Sequence, residues 1–429
     1  MKPLYFVLQN IVTFRSDFKN LANEARHDLV LITGELGLSN LGNDQKKFFA
    51  DIVVTDPFDF RSITEEIHRY LTIKTVNDLN DVRILCNDEY HLGTAAHLRQ
   101  HFGITGALPD TIRLYTNKLD MKKSLAASGI RLPHYLAFDP VTYKASPAAY
   151  TRHIEAKLGY PVFAKPVDSA GSEGVRKLDS RPELEAWLSE HATTENYELD
   201  EFLQGTLYHI DAVNVGGQSR EIFVSENAYP NACFLEGLPM GSIPIASDSD
   251  MYARLVAFNA RVVEALGGAP SGATHLEVFV TLNDELVFLE IAARAPGGWI
   301  PQMHHKRTGN NIEEQHFRAQ MGVYEAPDCI DGLYAAWMWY PKIEGVRLDA
   351  SHPLEIESPY QVAWDVSEAS AQTRPASIRD KVGGILLWND DLTHLRRDFF
   401  WLRDQYRPYR QEPVAPVSIE PVLAHGTES

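Results

Sequence analysis

Cysteine is scarce in this chain. Cys86, Cys233 and Cys329 are the only three in 429 residues, and no two share a metal-ligand spacing. That excludes a disulfide framework or a cysteine zinc site and fits reduced thiols. Basic residues are also outnumbered. Lys and Arg total 40 against 58 Asp and Glu, a net charge of −18. Nucleic acid is excluded as an expected partner, because its phosphates need clustered cations. A nucleotide is not excluded, since a few local cations suffice. No apolar run reaches the about 18 residues of a membrane span. The first ten residues turn polar too soon for a signal peptide. The expectation is a cytoplasmic protein that does not enter a membrane. Two common nucleotide fingerprints, Gly-x-x-x-x-Gly-Lys-Ser/Thr and Gly-x-Gly-x-x-Gly, are missing, as is any internal repeat.

What is present has the composition of an ordinary globular protein, 44% hydrophobic and 23% charged, with length for two or three domains. Early in the chain, short apolar runs at Leu4–Leu8, Leu29–Thr33, Ile52–Thr55 and Val82–Cys86 alternate with helical patterns at Thr64–Leu71 and Gly93–Phe102. That alternation predicts a parallel open sheet, and such sheets bind ligands at their strand ends. Glu89, just after Cys86, is therefore a candidate substrate contact, or else a helix-capping acid. The expected units are residues 1–108, Rossmann-like α/β; 109–195, a small α+β unit; 196–410, a larger sheet unit with a C-terminal extension; and 411–429, a Pro-rich, loosely ordered tail. Ile104–Asp110 reads as a linker, Leu333–Tyr340 as an aromatic strand and Leu392–Tyr406 as a closing helix.

The chemistry concentrates late in the chain. Residues 274–280 and 286–292 read as two strands joined by a turn at Asn283 and Asp284. Pairing them brings Glu277 and Glu290 together. Two ionised carboxylates on an apolar sheet repel each other and lose solvation, so they persist around a cation. Hard oxygen ligands with open positions describe Mg²⁺ shared with a nucleotide's phosphates. The bland alternative is a pair of solvent-facing strand ends. Arg294 adds a fixed cationic fork before Gly297 and Gly298. Upstream, Lys165 ends an apolar strand, where a buried ammonium needs an anion to meet it. The loop after it holds Ser169, Gly171, Ser172 and Gly174, whose hydroxyls and backbone N–H groups are suited to close over phosphate as a mobile flap. Lys118 opens a helix. His275 reads as a structural histidine on the strand face opposite Glu277. Trp299 is a candidate pocket wall, and His304–Arg307 a solvated basic face.

The ordered set is Lys118, Lys165, the glycine loop, Asp200-Glu201-Phe202-Leu203-x-Gly205, Glu277, and Glu290-x-x-x-Arg294. From about Val82 to about Arg397 it resembles the ATP-grasp superfamily, and within it the carboxylate–amine ligases of the L-amino acid ligase and carnosine synthase-like group. The resemblance implies an ATP-grasp fold with an N-terminal preATP-grasp domain. It implies ATP held by Lys118, Lys165 and the loop, and adenine at a hinge formed by Asp200, Glu201, Phe202 and Leu203. It implies two Mg²⁺ ions, or Mn²⁺ in their place, on Glu277 and Glu290. Arg294, with Gly297 and Gly298, would serve an acyl phosphate formed from a carboxylate and then attacked by an amine, both substrates being amino acids or similar small molecules. A homodimer is a further expectation. Two positions depart from the family. Leu207 stands where a ribose-binding glutamate is usual, leaving ribose to Asp200 or Glu201, and Ala292 replaces a metal-binding asparagine. The alternatives are a ligase for another carboxylate, a biotin carboxylase-like enzyme, or a non-catalytic nucleotide sensor.

Overall fold

The computed structural model describes residues 2–411, apart from 24–25, 77, 328–331, 369 and 371. Of the tail expected over 411–429, Gln411 ends a short strand, and residues 412–429 lie outside the described residues, as does Cys329.

The four early apolar runs form strands β1 (Leu4–Leu8), β2 (Asp28–Thr33), β3 (Asp51–Val54) and β4 (Val82–Cys86). They pair in parallel in the order β3-β2-β1-β4, the open sheet expected from the alternation. The helix Phe60–Ile73 starts one turn earlier than expected, because Asp59 caps it by accepting from the Ser62 N–H. Its buried positions Ile63, Ile67, Tyr70 and Leu71 fall on one face. The helix Leu92–Phe102 ends on Gly103, whose positive φ of 70° closes it in the left-handed conformation.

A four-stranded antiparallel sheet follows, made of β5 (Tyr135–Ala137), β6 (Val162–Pro166), β7 (Arg176–Leu178) and β8 (Tyr197–Glu201), in the order β5-β8-β6-β7. The break expected at residue 195 falls inside this sheet: β8 pairs with β6 from Val162↔Glu201 to Pro166↔Tyr197. The small unit therefore runs through Glu201. Leu184, Trp187 and Leu188 of the helix Arg181–Glu190 cover it with Ile154.

The largest element is an eight-stranded antiparallel sheet. Its strands include β9 (Gly205–Val215), β10 (Gln218–Asn227), β11 (Met240–Pro244), β12 (Gly272–Thr281), β13 (Leu286–Ala292) and β14 (Tyr334–Pro341). β15 (Val346–Leu348) lies apart and pairs with Tyr409–Gln411. β16 (Tyr360–Trp364) and β17 (Lys381–Asn389) complete the large sheet in the order β13-β12-β9-β10-β11-β14-β17-β16. The closing helix spans Leu392–Asp404 and buries Leu395, Phe399 and Leu402 against the sheet. It stops before Tyr406, which packs on Tyr340 at 5.5 Å. One apolar core joins the first sheet to the large one: Phe6, Ile84 and Leu98 share it with Met121, Leu125, Leu276 and Phe288. The expected linker thus carries chain between elements that share a core.

Candidate active site

Strand alternation builds the site's floor. On β9, Leu207, His209 and Asp211 point to one face. Register places Phe279, Glu277 and His275 of β12 beside them, one to one. The β12–β13 hairpin forms as the turn residues predicted, and Glu277 pairs directly with Glu290. A β-bulge follows, where Val278 pairs with Phe288 and Leu289 is the extra residue. It turns both Leu289 and Glu290 toward a cavity of about 560 Å³.

Nearly all the expected site residues line that cavity: Lys118, Lys165, Ser169, Gly171, Ser172, Asp200, Glu201, Phe202, Leu203, Glu277, Glu290, Arg294, Gly297 and Gly298. Gly174 stands behind it. Its φ is +73°, and a Cβ there would lie 2.9 Å from Pro166, so glycine is needed where the loop folds back on β6. Lys118 opens its helix behind the cap Asn117 and ties two parts together, donating to the Ser169 carbonyl at 2.8 Å and meeting Glu290 at 3.3 Å. Burial works against ionisation of Glu290, but Lys118 and Lys165 outweigh it and hold the carboxyl below its usual range. Glu277 accepts from Asn231 at 2.7 Å.

Lys165 has the anions its burial demanded, and they are the protein's own. It meets Asp200 at 3.0 Å and Glu198 at 3.3 Å. Burial disfavours its charge, but Asp200, Glu198 and Glu290 hold it protonated above the ordinary lysine range. Lys122, to which the sequence reading gave no role, completes the cluster at 2.7 Å from Asp200 and 3.0 Å from Glu198. The Asp200 carboxylate, expected at the adenine hinge or at ribose, is thus taken up by two lysines and 2% exposed. Glu201, the other ribose candidate, accepts from Arg131 at 2.6 Å and from the His134 N–H at 2.8 Å. Leu207 is buried with Phe279 and Val287 against Leu203 and Leu289, giving that end of the cavity an apolar floor.

Arg294 reaches across the molecule to Glu89 at 2.5 Å. The capping role belongs to Asp88, which accepts from the Tyr90 N–H, so Glu89 is left to hold the arginine. His275 shares the face of Glu277, not the opposite one, as a two-residue spacing on a strand requires. Its Nδ1 lies 2.7 Å from Asp211 and its Nε2 3.5 Å from Glu277. Burial opposes its charge, but the two carboxylates lift its pKa to about 9, so it is an imidazolium at neutral pH. Asp211 also accepts from His209 at 2.9 Å and His304 at 3.1 Å. His304 is therefore a buried ligand of that carboxylate, not part of a solvated face, whereas Lys306 lies over the Trp388 ring. Trp337, not Trp299, walls the cavity, while Trp299 packs on Trp339. The signal for Asp211 was its even spacing from His209 on one strand; Lys122 lies one helical turn beyond Lys118.

Gly298 has φ +62°, and a Cβ there would lie 2.5 Å from the Trp337 ring. Gly298→Ala is expected to destabilise the protein by about 1–3 kcal/mol through backbone strain. It should also displace the ring, shifting the tryptophan emission maximum. Denaturant titration followed by fluorescence checks both.

Comparison with known proteins places this geometry. Residues 125–298 match the family model "D-ala D-ala ligase C-terminus". An L-arginine-specific L-amino acid ligase of Bacillus subtilis is 28% identical over 254 residues, 57% of this chain and 58% of the relative. The chain thus spans under two thirds of that relative's length. The crystal structure of an L-amino acid ligase from Bacillus licheniformis superposes with a TM-score of 0.69 at 16% identity, covering 97% of this chain and 99% of the other. An N5-carboxyaminoimidazole synthetase from Staphylococcus aureus, solved with ADP, superposes with a TM-score of 0.63 at 14% identity over 93% and 97% of the two chains. The fold is that of ATP-grasp enzymes.

Proposed function

On the premise that this chain has an ATP-grasp fold and that residues 125–298 match its D-ala D-ala ligase C-terminal domain, we propose an ATP- and Mg²⁺-dependent carboxylate–amine ligase that joins amino acids. The observation that carries the proposal is the convergence of Lys118, Lys165, Glu277, Glu290 and Arg294 on one cavity beside a glycine loop.

Each group has a task in the proposed reaction. Phe163, Phe202, Leu203 and Leu207 supply the apolar walls an adenine ring needs. Lys118 and Lys165 carry the charge to hold phosphates, and the loop from Ser169 to Gly174 covers them. The donor set at the paired strands is the two carboxylates of Glu277 and Glu290, hard oxygens that fit Mg²⁺, with the Asn231 carboxamide donating to Glu277 and orienting it. Glu277 and Glu290 would hold the ion, which when bound neutralises phosphate charge and polarises the transferred phosphoryl group. A substrate carboxylate oxygen attacks the γ-phosphorus and ADP leaves, giving an acyl phosphate. The second substrate's amine attacks the acyl carbon, phosphate leaves with the C–O bonding pair, and the nitrogen gives up a proton. Arg294, oriented by Glu89, stabilises charge growing on the acyl oxygen. The work is positioning and charge neutralisation.

The test is phosphate release from Mg-ATP with amino acids supplied singly and in pairs. Release that depends on two amino acids, with a product of the matching dipeptide mass, is the expected result. ATP binding without release from any pair overturns the amino acid ligase and favours a ligase for another carboxylate or a nucleotide sensor.

A further inference from the structure

Four segments meet around the turn after Arg294. The loop after β1, at the strand ends where open sheets take ligands, delivers Arg15, whose Nε donates to the Gly298 carbonyl at 2.9 Å. The loop after β4 delivers Glu89 and Tyr90. The chain between β16 and β17 delivers Arg379, whose Nη2 donates to the Tyr90 hydroxyl at 3.0 Å. Tyr90 in turn donates to Glu173 of the glycine loop at 3.2 Å.

The hydrogen bonds there leave two guanidinium groups, those of Arg15 and Arg379, with no carboxylate acceptor among the described residues. Glu89 is committed to Arg294. Among the described residues, the Arg15 side chain donates only to the carbonyls of Gly298 and Thr13. Glu313 is near, but its Oε1 accepts from the Arg15 and Ser16 backbone N–H groups and the Ser16 hydroxyl, and its Oε2 from Asn87. Arg379 has a phenol hydroxyl for a partner. Burial lowers the proton affinity of Arg15, and Arg294 and Arg379 are close enough to lower it further, against Glu313. Neither guanidinium donates to a carboxylate among the described residues, so both keep N–H groups that suit an anionic ligand.

Location decides which anion. Lys118 and Lys165 serve the Glu290 end of residues 290–298, where phosphates would lie. Arg15 serves the Gly298 end, and Arg379 lies near Arg15, on Tyr90 next to the Glu89 that holds Arg294. In joining two amino acids, one carboxylate is activated and consumed, and the other stays ionised on the amine donor. We propose that Arg15 and Arg379 form a subsite against the Gly297–Gly298 turn that binds the unreacted carboxylate of the amine-donating amino acid. This rests on the ligase reading above, and it restricts the second substrate to amines that bear a carboxylate.

The test uses the full chain, Arg15→Gln and Arg379→Gln, with the pair that supports turnover. Each KM is measured with the other substrate saturating. The expected result is a KM for the amine donor raised at least about tenfold in each variant, with the KM of ATP and of the acyl donor unchanged. The amine donor's carboxamide derivative should be a poor substrate for the unaltered protein, and neither variant should make it poorer. Equal losses for acid and carboxamide would show that Arg15 only props the Gly298 turn and overturn the subsite. A rise confined to the acyl donor would assign the cations to that substrate's side-chain carboxylate and overturn the proposal as stated. Glutamine in place of Arg15 keeps an N–H donor for the Gly298 carbonyl, and Arg379 is exposed, so a folding defect in one variant leaves the other to decide. If no pair turns over, calorimetric titration of amino acids in the presence of Mg²⁺ and a non-hydrolysable ATP analogue separates the two ideas. Binding weakened in both variants keeps the carboxylate subsite and removes the ligase; unweakened binding, or none to the unaltered protein, removes the subsite.

Discussion

Glu290→Gln is expected to slow ATP-dependent phosphate release by about a thousandfold or more, on the order of 4 kcal/mol of transition-state stabilisation. The substitution keeps the side chain's volume and removes one charge. It therefore spares the β12–β13 pairing and strikes the donor set alone. With a neutral amide at 290, only Glu277 supplies anionic oxygen to a cation at the paired strands. Lys118 also loses the carboxylate that it meets at 3.3 Å. ATP affinity should weaken less than turnover, because Lys165 keeps Asp200 and Glu198 and the apolar walls are untouched. Circular dichroism and nucleotide titration establish that the fold and the nucleotide site survive. Turnover within tenfold of the unaltered protein would show that the metal assignment is wrong.

The largest stability effect is expected at Lys122, a residue that does not touch the cavity. Lys122→Met removes the fully buried ammonium that meets Glu198 and Asp200. Lys165 remains, but two buried carboxylates then share one cation. Breaking a buried pair from one side costs about 3–5 kcal/mol, because an uncompensated charge stays in a low-dielectric interior. The midpoint of denaturant unfolding should fall accordingly. The second step of the test is Lys122→Met combined with Asp200→Asn, which restores one cation for one anion and should recover part of the loss. A double variant less stable than the single one would show that Lys122 acts by packing and not by charge.

Much of this architecture was legible in the residue order. The apolar runs of the first hundred residues alternate with helical periods, and the parallel sheet follows from that alternation alone. The hairpin that aligns Glu277 with Glu290 was legible because both strands are strongly apolar and the turn residues between them tolerate a positive φ, as Asp284 shows at 63°. Lys165 stood out because an ammonium at the end of an apolar strand needs an anion.

Which anion it has was not legible. Glu198 and Asp200 meet Lys122 at sequence separations of 76 and 78 residues, and β8 had been placed with the wrong sheet. The same holds for the partner of Arg294, which is Glu89, 205 residues away. Trp337 reaches the cavity because β11 sits between β10 and β14 in the large sheet, a neighbour relation no local pattern encodes.

By itself, then, the sequence determined the elements, the hairpin, the glycine positions and the identity of the charged groups, since each depends on backbone preference and side-chain alternation within a few residues. Only the tertiary structure decided which of those charges are paired within the protein and which are left for a ligand. Asp200 went to two lysines and Glu89 to Arg294. Arg15 was set against the Gly298 carbonyl, 283 residues away, with no carboxylate among the described residues accepting from its side chain. Coulombic pairing depends on distance through space, and that is fixed by how the sheets pack, not by order along the chain.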